Sequence, residues 1–270
     1  MIRMLAALIL LACVGVVSAQ EKTKSPKIIY HAHSFFEVVS SKGTVVVFDP
    51  HMIQFYPRLT DLKGDIKTVK SDIVLLSHNH SDHTQLEALD KDMIKSKKTK
   101  IITGWKGVGR RAVWNEVDTK IKDVKIRTVG AYHDTTQGME NGINTIFVIE
   151  VDGWTIAHLG DLGHTLTKKQ IKQIGKVDVL MVPVGGLYAL NGTEAKKVMK
   201  QIQPKEYVIP MHYGTLHFDE LLTEEEFLED QPERQVVRLP VNELRLVRDQ
   251  QGPRPITVVM NYLPKVPKKK

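Results

Sequence analysis

The stretch Ser77-His78-Asn79-His80-Ser81-Asp82-His83 decides how this sequence is interpreted. It places three histidines and one aspartate within residues 78–83, directly after the compact apolar run 72–77 (DIVLLS), which is typical of a buried strand. Loops at strand ends are where a rigid scaffold displays functional groups. Neutral imidazole nitrogens and carboxylate oxygens suit divalent ions such as zinc, iron or manganese. The stretch therefore predicts a metal site at the end of a strand.

This stretch resembles the HxHxDH signature of the metallo-β-lactamase-fold superfamily. Three later segments resemble the other ligand-bearing elements of that superfamily, and they occur in the expected order. They are His133-Asp134 after a strand-like run at 124–129, the turn Gly160-Asp161-Leu162-Gly163-His164, and Pro210-Met211-His212. The combined pattern is specific for a fold and a metal site, and it says little about the substrate.

Further segments resemble one branch of the superfamily, the predicted metal-dependent hydrolases related to ascorbate-phosphate lactonase. These segments are His31-Ala32-His33-Ser34-Phe35, Phe48-Asp49-Pro50 and Pro183-Val184-Gly185-Gly186. The resemblance implies an α/β protein, a four-layer αββα sandwich of the metallo-β-lactamase type. It also implies that the ligand-bearing loops surround one cleft at the strand ends.

The resemblance implies a two-metal centre, with zinc the expected ion and manganese or iron as alternatives. The implied ligands are His78, His80 and His133 for one ion, Asp82, His83 and His212 for the other, and Asp161 as a bridge between them. Asp82 and Asp161 are the implied catalytic residues, and Asp161, as the bridging carboxylate, would fix both ions. The implied reaction is hydrolysis by a metal-bridged hydroxide of an ester, lactone or phosphoester-type bond in a small molecule.

Five other residues have two interpretations each. His33 and Asp49 could orient a ligand or line the site, and they could equally be structural polar groups near the first strands. His164 could contact a substrate or a ligand. Tyr188 and Tyr213 could touch a substrate, although aromatic side chains more commonly pack in a core.

The chain divides into four segments. Residues 1–19 resemble a signal peptide, with Arg3 near the start, an apolar run at 5–17 and small residues before the expected cleavage after Ala19. Residues 20–26 form a polar lead-in, 27–262 the hydrolase domain and 263–270 a basic tail. We expect an exported protein, periplasmic or secreted. Alternatively, Leu10-Leu11-Ala12-Cys13 resembles a lipobox, and lipidation of Cys13 would anchor the protein to a membrane.

Composition limits the partners. Cys13 is the single cysteine, so any metal site must use histidine and carboxylate ligands. The net charge of +7 agrees with an anionic substrate, and part of it lies in the tail and at 95–100. We interpret these lysines as a solvated face and expect a small-molecule substrate without nucleic acid, while a homo-oligomer is left open. The alternatives to a hydrolase are a di-iron oxidoreductase on the same fold and a non-catalytic metal-binding module.

Overall fold

A computed structural model describes residues 25–51, 68–215, 218–248 and 251–262. The expected signal peptide, Cys13 and the basic tail lie outside these ranges, as does most of the lead-in. Within the described ranges, no helix is both long enough and apolar enough to cross a membrane.

Short strands make up most of the described chain. Their bounds are β1 Lys27–Tyr30, β2 Phe36–Val39, β3 Val45–Phe48, β4 Ile73–Leu76, β5 Lys100–Thr103, β6 Trp105–Lys106, β7 Val113–Trp114, β8 Asp118–Ile121, β9 Val124–Tyr132, β10 Ile143–Val151, β11 Trp154–His158, β12 Val179–Pro183, β13 Tyr207–Met211, β14 Val236–Leu239, β15 Glu243–Arg245 and β16 Ile256–Met260. The helices are α1 Lys91–Lys95, α2 Lys168–Ile174, α3 Gly192–Ile202 and α4 Glu225–Leu228.

Two sheets dominate the architecture. The first has the strand order β15-β1-β2-β3-β4-β5, and the second has the order β14-β16-β13-β12-β11-β10-β9-β8. In the first sheet, β2 and β3 form an antiparallel hairpin, and β4 joins β3 and β5 in parallel. In the second sheet, the antiparallel pair β9–β10 is followed by the parallel strands β11, β12 and β13.

The main core lies between the two sheets. Phe36 and Phe48 of the first sheet and Ile126 and Phe147 of the second are fully buried members of one apolar cluster. Burying a side chain of this size contributes about 1.5–3 kcal/mol. Because inward-facing residues of both sheets share this cluster, they hold the two sheets face to face.

The helices cover the outer faces. On the second sheet, α3 buries Ala195, Val198 and Ile202 in the main core, and its N-terminus is closed by a capping box between Asn191 and Glu194. On the first sheet, Val47 and Val74 point outward into a smaller cluster that includes Ile94 of α1. The order helix, sheet, sheet, helix confirms the predicted four-layer sandwich.

This topology gathers the predicted ligand segments. The strands β4, β9, β11 and β13 end at Leu76, Tyr132, His158 and Met211. Each of these carboxyl ends is followed within three residues by a predicted metal ligand. The ligand loops therefore meet at one edge of the sandwich.

Candidate metal centre

The carboxylate of Asp161 lies at the middle of the site. Its Oδ2 atom is 3.0 Å from Nε2 of His212, 3.1 Å from that of His83, 3.2 Å from that of His133 and 3.7 Å from that of His78. Asp161 is buried, and its other oxygen, Oδ1, has no hydrogen-bond partner. A buried carboxylate in contact with four imidazoles is the arrangement expected of a group that bridges cations.

The surrounding side chains form two separate groups that are each able to hold a metal ion, and a third combination, Asp49 with His78 and His83, overlaps both. In each group the ligand atoms lie within 4.8 Å of one another. The first group is His78, His80 and His133, and the second is Asp82, His83 and His212 together with His33. The structure thus brings all seven predicted ligands together, and it adds His33 to the second group.

The donor atoms fit divalent cations. Ligands about 2.0–2.1 Å from one ion are about 3–3.4 Å from each other, which matches most of the distances around Asp161. The Nε2 atoms of His78, His83 and His133 are buried without a hydrogen bond. Leaving such atoms unpaired costs about 1–3 kcal/mol each, a cost that a bound cation removes.

Asp49 and Ser77 orient one histidine in each group. The Asp49 carboxylate accepts hydrogen bonds from the Ser77 amide at 2.7 Å and from the Ser77 hydroxyl at 2.6 Å, and it lies 3.0 Å from Nδ1 of His83. The Ser77 hydroxyl, having donated to Asp49, accepts from Nδ1 of His78 at 2.9 Å. Both imidazoles therefore carry their proton on Nδ1, which leaves the Nε2 lone pairs free to bind metal. Asp49 therefore fixes the orientation of His83, a predicted ligand, which agrees with one of the two interpretations that the sequence left open.

Asn144 holds the turn that carries Asp161. Its side chain is fully buried in β10, where Nδ2 donates to the Leu159 carbonyl at 2.8 Å and Oδ1 accepts from the Asp161 amide at 3.1 Å. Gly160, between them, has a φ of +54°, and a Cβ there would lie 2.3 Å from Asn144 Oδ1. The sequence analysis missed Asn144. The signal was present, because an amide in an otherwise apolar strand needs a partner.

Two further glycines allow close packing behind the ligands. A Cβ at Gly163 would lie 2.4 Å from the His133 carbonyl, and one at Gly185 would lie 2.1 Å from the His212 carbonyl. Both clashes involve backbone atoms, which cannot easily move. These glycines let the Asp161 loop and the 185–190 loop lie directly against the ligand-bearing backbone.

The ionisable groups are strongly coupled. Burial works against the charged carboxylate of Asp161, but the neighbouring His212 and His83 hold its pKa well below the ordinary value. Burial, with His83 as the next cause, lowers the pKa of His78 well below its usual value. Burial also disfavours protonated His83, yet Asp161 and Asp49 raise its pKa well above the usual value. Asp161 is thus ionised and His78 is neutral, as metal ligands must be, whereas His83 would have to lose its extra proton when an ion binds.

The other predicted residues lie outside the two groups. His164 accepts a hydrogen bond from the Tyr132 amide at 3.1 Å and has Nδ1 2.8 Å from the Thr165 carbonyl, so it fixes the backbone beside His133. Tyr213 is buried and packs near Tyr30. Tyr188 is half exposed on the 185–190 loop.

A family profile described as a β-lactamase superfamily domain matches residues 27–212. The chain belongs to this superfamily. A UPF0173 metal-dependent hydrolase from Bacillus cereus is 30% identical over 205 residues, which cover 70% of this chain and 86% of the relative. A UPF0173 protein from Pyrococcus furiosus is 31% identical over 195 residues, covering 70% and 84%.

Solved structures agree with this assignment. A Thermotoga maritima protein, a candidate Zn-dependent hydrolase of the metallo-β-lactamase superfamily, matches with 30% identity and a TM-score of 0.60 over 87% of this chain and 98% of that one. With the His/Asp cluster, these relatives identify the protein as a metal-dependent hydrolase. The finer resemblance to ascorbate-phosphate lactonase stays a prediction.

Proposed function

We propose that this enzyme hydrolyses an ester, lactone or phosphoester-type bond of a small, anionic substrate, using two divalent metal ions, with zinc as the expected ion. The observation that carries the proposal is the position of Asp161 Oδ2, within 3.7 Å of imidazoles from both ligand groups. One buried carboxylate oxygen that reaches both groups is suited to hold two cations a few ångströms apart. Zinc agrees with the histidine-rich ligands and with the candidate function of the Thermotoga maritima relative.

Two ions held in this way would lower the pKa of a water molecule and polarise the oxygen of the bond to be cleaved. The chain supplies the geometry. Asp161 sets the distance between the two halves of the site, and the Asp49–Ser77 pair fixes the tautomers of His83 and His78. Ser77 directly precedes His78, and its hydroxyl is occupied by these two hydrogen bonds. It therefore orients ligands and does not act as a nucleophile.

The rim of the site supplies the substrate preference. Leu187 and Tyr188 are 64% and 52% exposed, directly after the Gly185-Gly186 pair that packs against the His212 loop. Leu222, also 52% exposed, lies next to Gly186. Apolar side chains beside a polar centre favour a substrate with an apolar part next to the scissile bond. The net charge of +7 favours an anionic group elsewhere on that substrate.

The test is a panel of chromogenic substrates with the metal-reconstituted enzyme. The panel contains p-nitrophenyl acetate and butyrate, a six-membered lactone, p-nitrophenyl phosphate and bis-p-nitrophenyl phosphate. We expect turnover of at least one bond class that is abolished by a chelator and restored by zinc or manganese. We also expect Asp161→Asn to lower kcat/KM by more than about 100-fold, since even partners of the ligands contribute 10–100-fold.

Asp152→Asn is the matched control. Asp152 is a carboxylate that accepts from the amide and hydroxyl of Ser41, far from the ligand groups, and its replacement should leave kcat/KM unchanged. Metal-independent turnover, or full activity of Asp161→Asn, would contradict the proposal.

We further propose that the enzyme is exported after cleavage behind Ala19. The support is the sequence of residues 1–19, whose charged start, short apolar run and small residues fit a signal peptide. The intact mass of the protein from its native host tests this. A chain beginning at Gln20 supports cleavage, whereas a lipid-modified chain beginning at Cys13 supports the membrane-anchored alternative.

A further inference from the structure

His33 reaches the metal centre on a strained turn. Ala32 and His33 both have left-handed backbone conformations, with φ of +72° and +56°. For residues with a side chain this costs about 1–2 kcal/mol each. The turn is closed by hydrogen bonds between His31 and Phe35 and between Phe35 and Ala32, of 2.9 and 3.0 Å. Strain of this kind persists where the surrounding structure overrides it, often at a functional site.

The imidazole of His33 has a fixed orientation. It is buried, stacked on Phe218 with 4.1 Å between ring centroids and 14° between planes, and it lies 4.2 Å from the ring of His212. The His33 carbonyl also accepts a hydrogen bond from the His212 amide at 3.0 Å. The first loop of the domain is thus joined directly to the last metal ligand.

One ring nitrogen of His33 contacts the carboxylate of Asp82. The Nε2 atom of His33 lies 3.0 Å from Asp82 Oδ2, which itself is 3.5 Å from Nε2 of His83. Asp82 sits in a single 3-10 turn, Ser81–His83, and its side chain is 34% exposed. Such a carboxylate can rotate into solvent unless another group holds it, and the His33 hydrogen bond supplies that restraint.

We propose that His33 is a positioning residue, which donates its Nε2 proton to Asp82 and thereby sets the affinity of the metal ion held by Asp82, His83 and His212. This inference rests on the proposed two-metal function. The His33–Asp82 pair plays the same part for a carboxylate ligand that Asp49 plays for His83. The pair also gives the loop between β1 and β2 a role in the metal centre, although this loop is remote in sequence from the HxHxDH stretch.

The alternative is that His33 binds the ion directly, because its ligand atom lies within 4.8 Å of those of Asp82, His83 and His212. Two substitutions separate these roles. A glutamine at this position keeps an N–H donor for Asp82 but is a poor zinc ligand. An alanine removes both the donor and any ligand.

The experiment measures both dissociation constants for zinc by competition with a chromophoric chelator. Wild type, His33→Gln, His33→Ala and His31→Ala are compared, each checked for folding by circular dichroism. We expect wild type to bind two ions and His33→Ala to weaken one of them by about 10–100-fold, the usual effect of losing a partner of a ligand. His33→Gln should stay within about threefold of wild type for both ions. His31→Ala, in the same loop but paired with Glu37 at 2.6 Å, should match wild type.

The outcomes are distinct. An equal loss of zinc affinity in His33→Gln and His33→Ala would overturn the positioning role in favour of direct ligation. Wild-type zinc affinity in His33→Ala would overturn both the positioning role and direct ligation. If His33→Ala fails to fold, the double variant His33→Gln/Asp82→Ala decides. It should bind as weakly as Asp82→Ala alone, and a further loss would contradict action through Asp82. A wild-type protein that binds fewer than two ions contradicts the proposed function itself, whatever the His33 variants show.

Discussion

The hydrogen bonds of Asp49 yield a specific prediction for Asp49→Asn. The three donors that meet this carboxylate are the Ser77 amide, the Ser77 hydroxyl and Nδ1 of His83, at 2.6–3.0 Å. An asparagine offers one acceptor oxygen and one donor NH₂ group. Whichever way the amide turns, its NH₂ group faces at least one N–H or O–H donor, which then has no acceptor. The clash is avoided only if His83 moves its proton from Nδ1 to Nε2. In that case His83 can no longer bind metal.

The expected loss of zinc affinity follows from the cost of a buried donor without a partner. Asp49 and His83 are fully buried, so an unpaired donor there costs about 1–3 kcal/mol. If that cost falls on the metal-binding conformation, the affinity for one ion drops by about 5–150-fold, at about 1.4 kcal/mol per factor of ten. Zinc affinity by chelator competition measures the loss, and thermal unfolding shows whether the fold is retained. Asp152→Asn, which loses a similar pair of hydrogen bonds to Ser41, should show no change in zinc affinity. Wild-type zinc affinity in Asp49→Asn would refute the assignment of tautomers.

Three other predictions concern packing and stability. Gly163→Ala should lower the free energy of unfolding by at least about 2 kcal/mol and reduce bound metal, because the new Cβ would lie 2.4 Å from the His133 carbonyl; normal stability in urea unfolding would contradict this packing. Asn144→Leu should destabilise the protein by about 2–6 kcal/mol, because two buried backbone groups lose their partners. Urea unfolding measures this loss, and a smaller loss would contradict the role given to Asn144. Burial opposes ionisation of Asp178, but the ion pair with Arg248 lowers the pKa of this carboxyl. The ion pair therefore stabilises the fold fully above the unfolded pKa of about 3.9, and this stabilisation is lost as pH falls through the folded pKa. Asp178→Asn should therefore be less stable at pH 7 and lose less stability between pH 4 and 2 than wild type, and parallel stability–pH curves would argue against the pair.

Local sequence signals were sufficient for most of the ligand cluster. Each loop that carries predicted ligands follows an apolar strand, and strand ends at one sheet edge bring their loops together whatever the details of packing. Helix α2 also has a local sequence signal, since Thr167, a typical N-cap residue, forms a capping box with Gln170 at its start. The strand predicted at 124–129 is longer, Val124–Tyr132, because its pairing with β10 continues to Tyr132.

Tertiary contacts could not be predicted from such local sequence signals. The bond between His33 and Asp82 joins residues 49 positions apart and depends on two left-handed residues that no local pattern indicates. The β6–β7 ribbon was missed because its strands have two residues each and flank a glycine pair that gives no clear signal. The short helix α1 ends at Lys95, where the lysine-rich region 95–100 begins, and its N-cap Asp90 was missed.

The most direct test of the central claim is elemental analysis of the mature protein, purified without a metal-chelating tag and then dialysed. The account predicts close to two equivalents of zinc, manganese or iron per chain, falling to one or fewer in Asp161→Ala because this carboxylate reaches both ligand groups. Less than half an equivalent in wild type, unchanged after metal is added back, would contradict the two-metal centre.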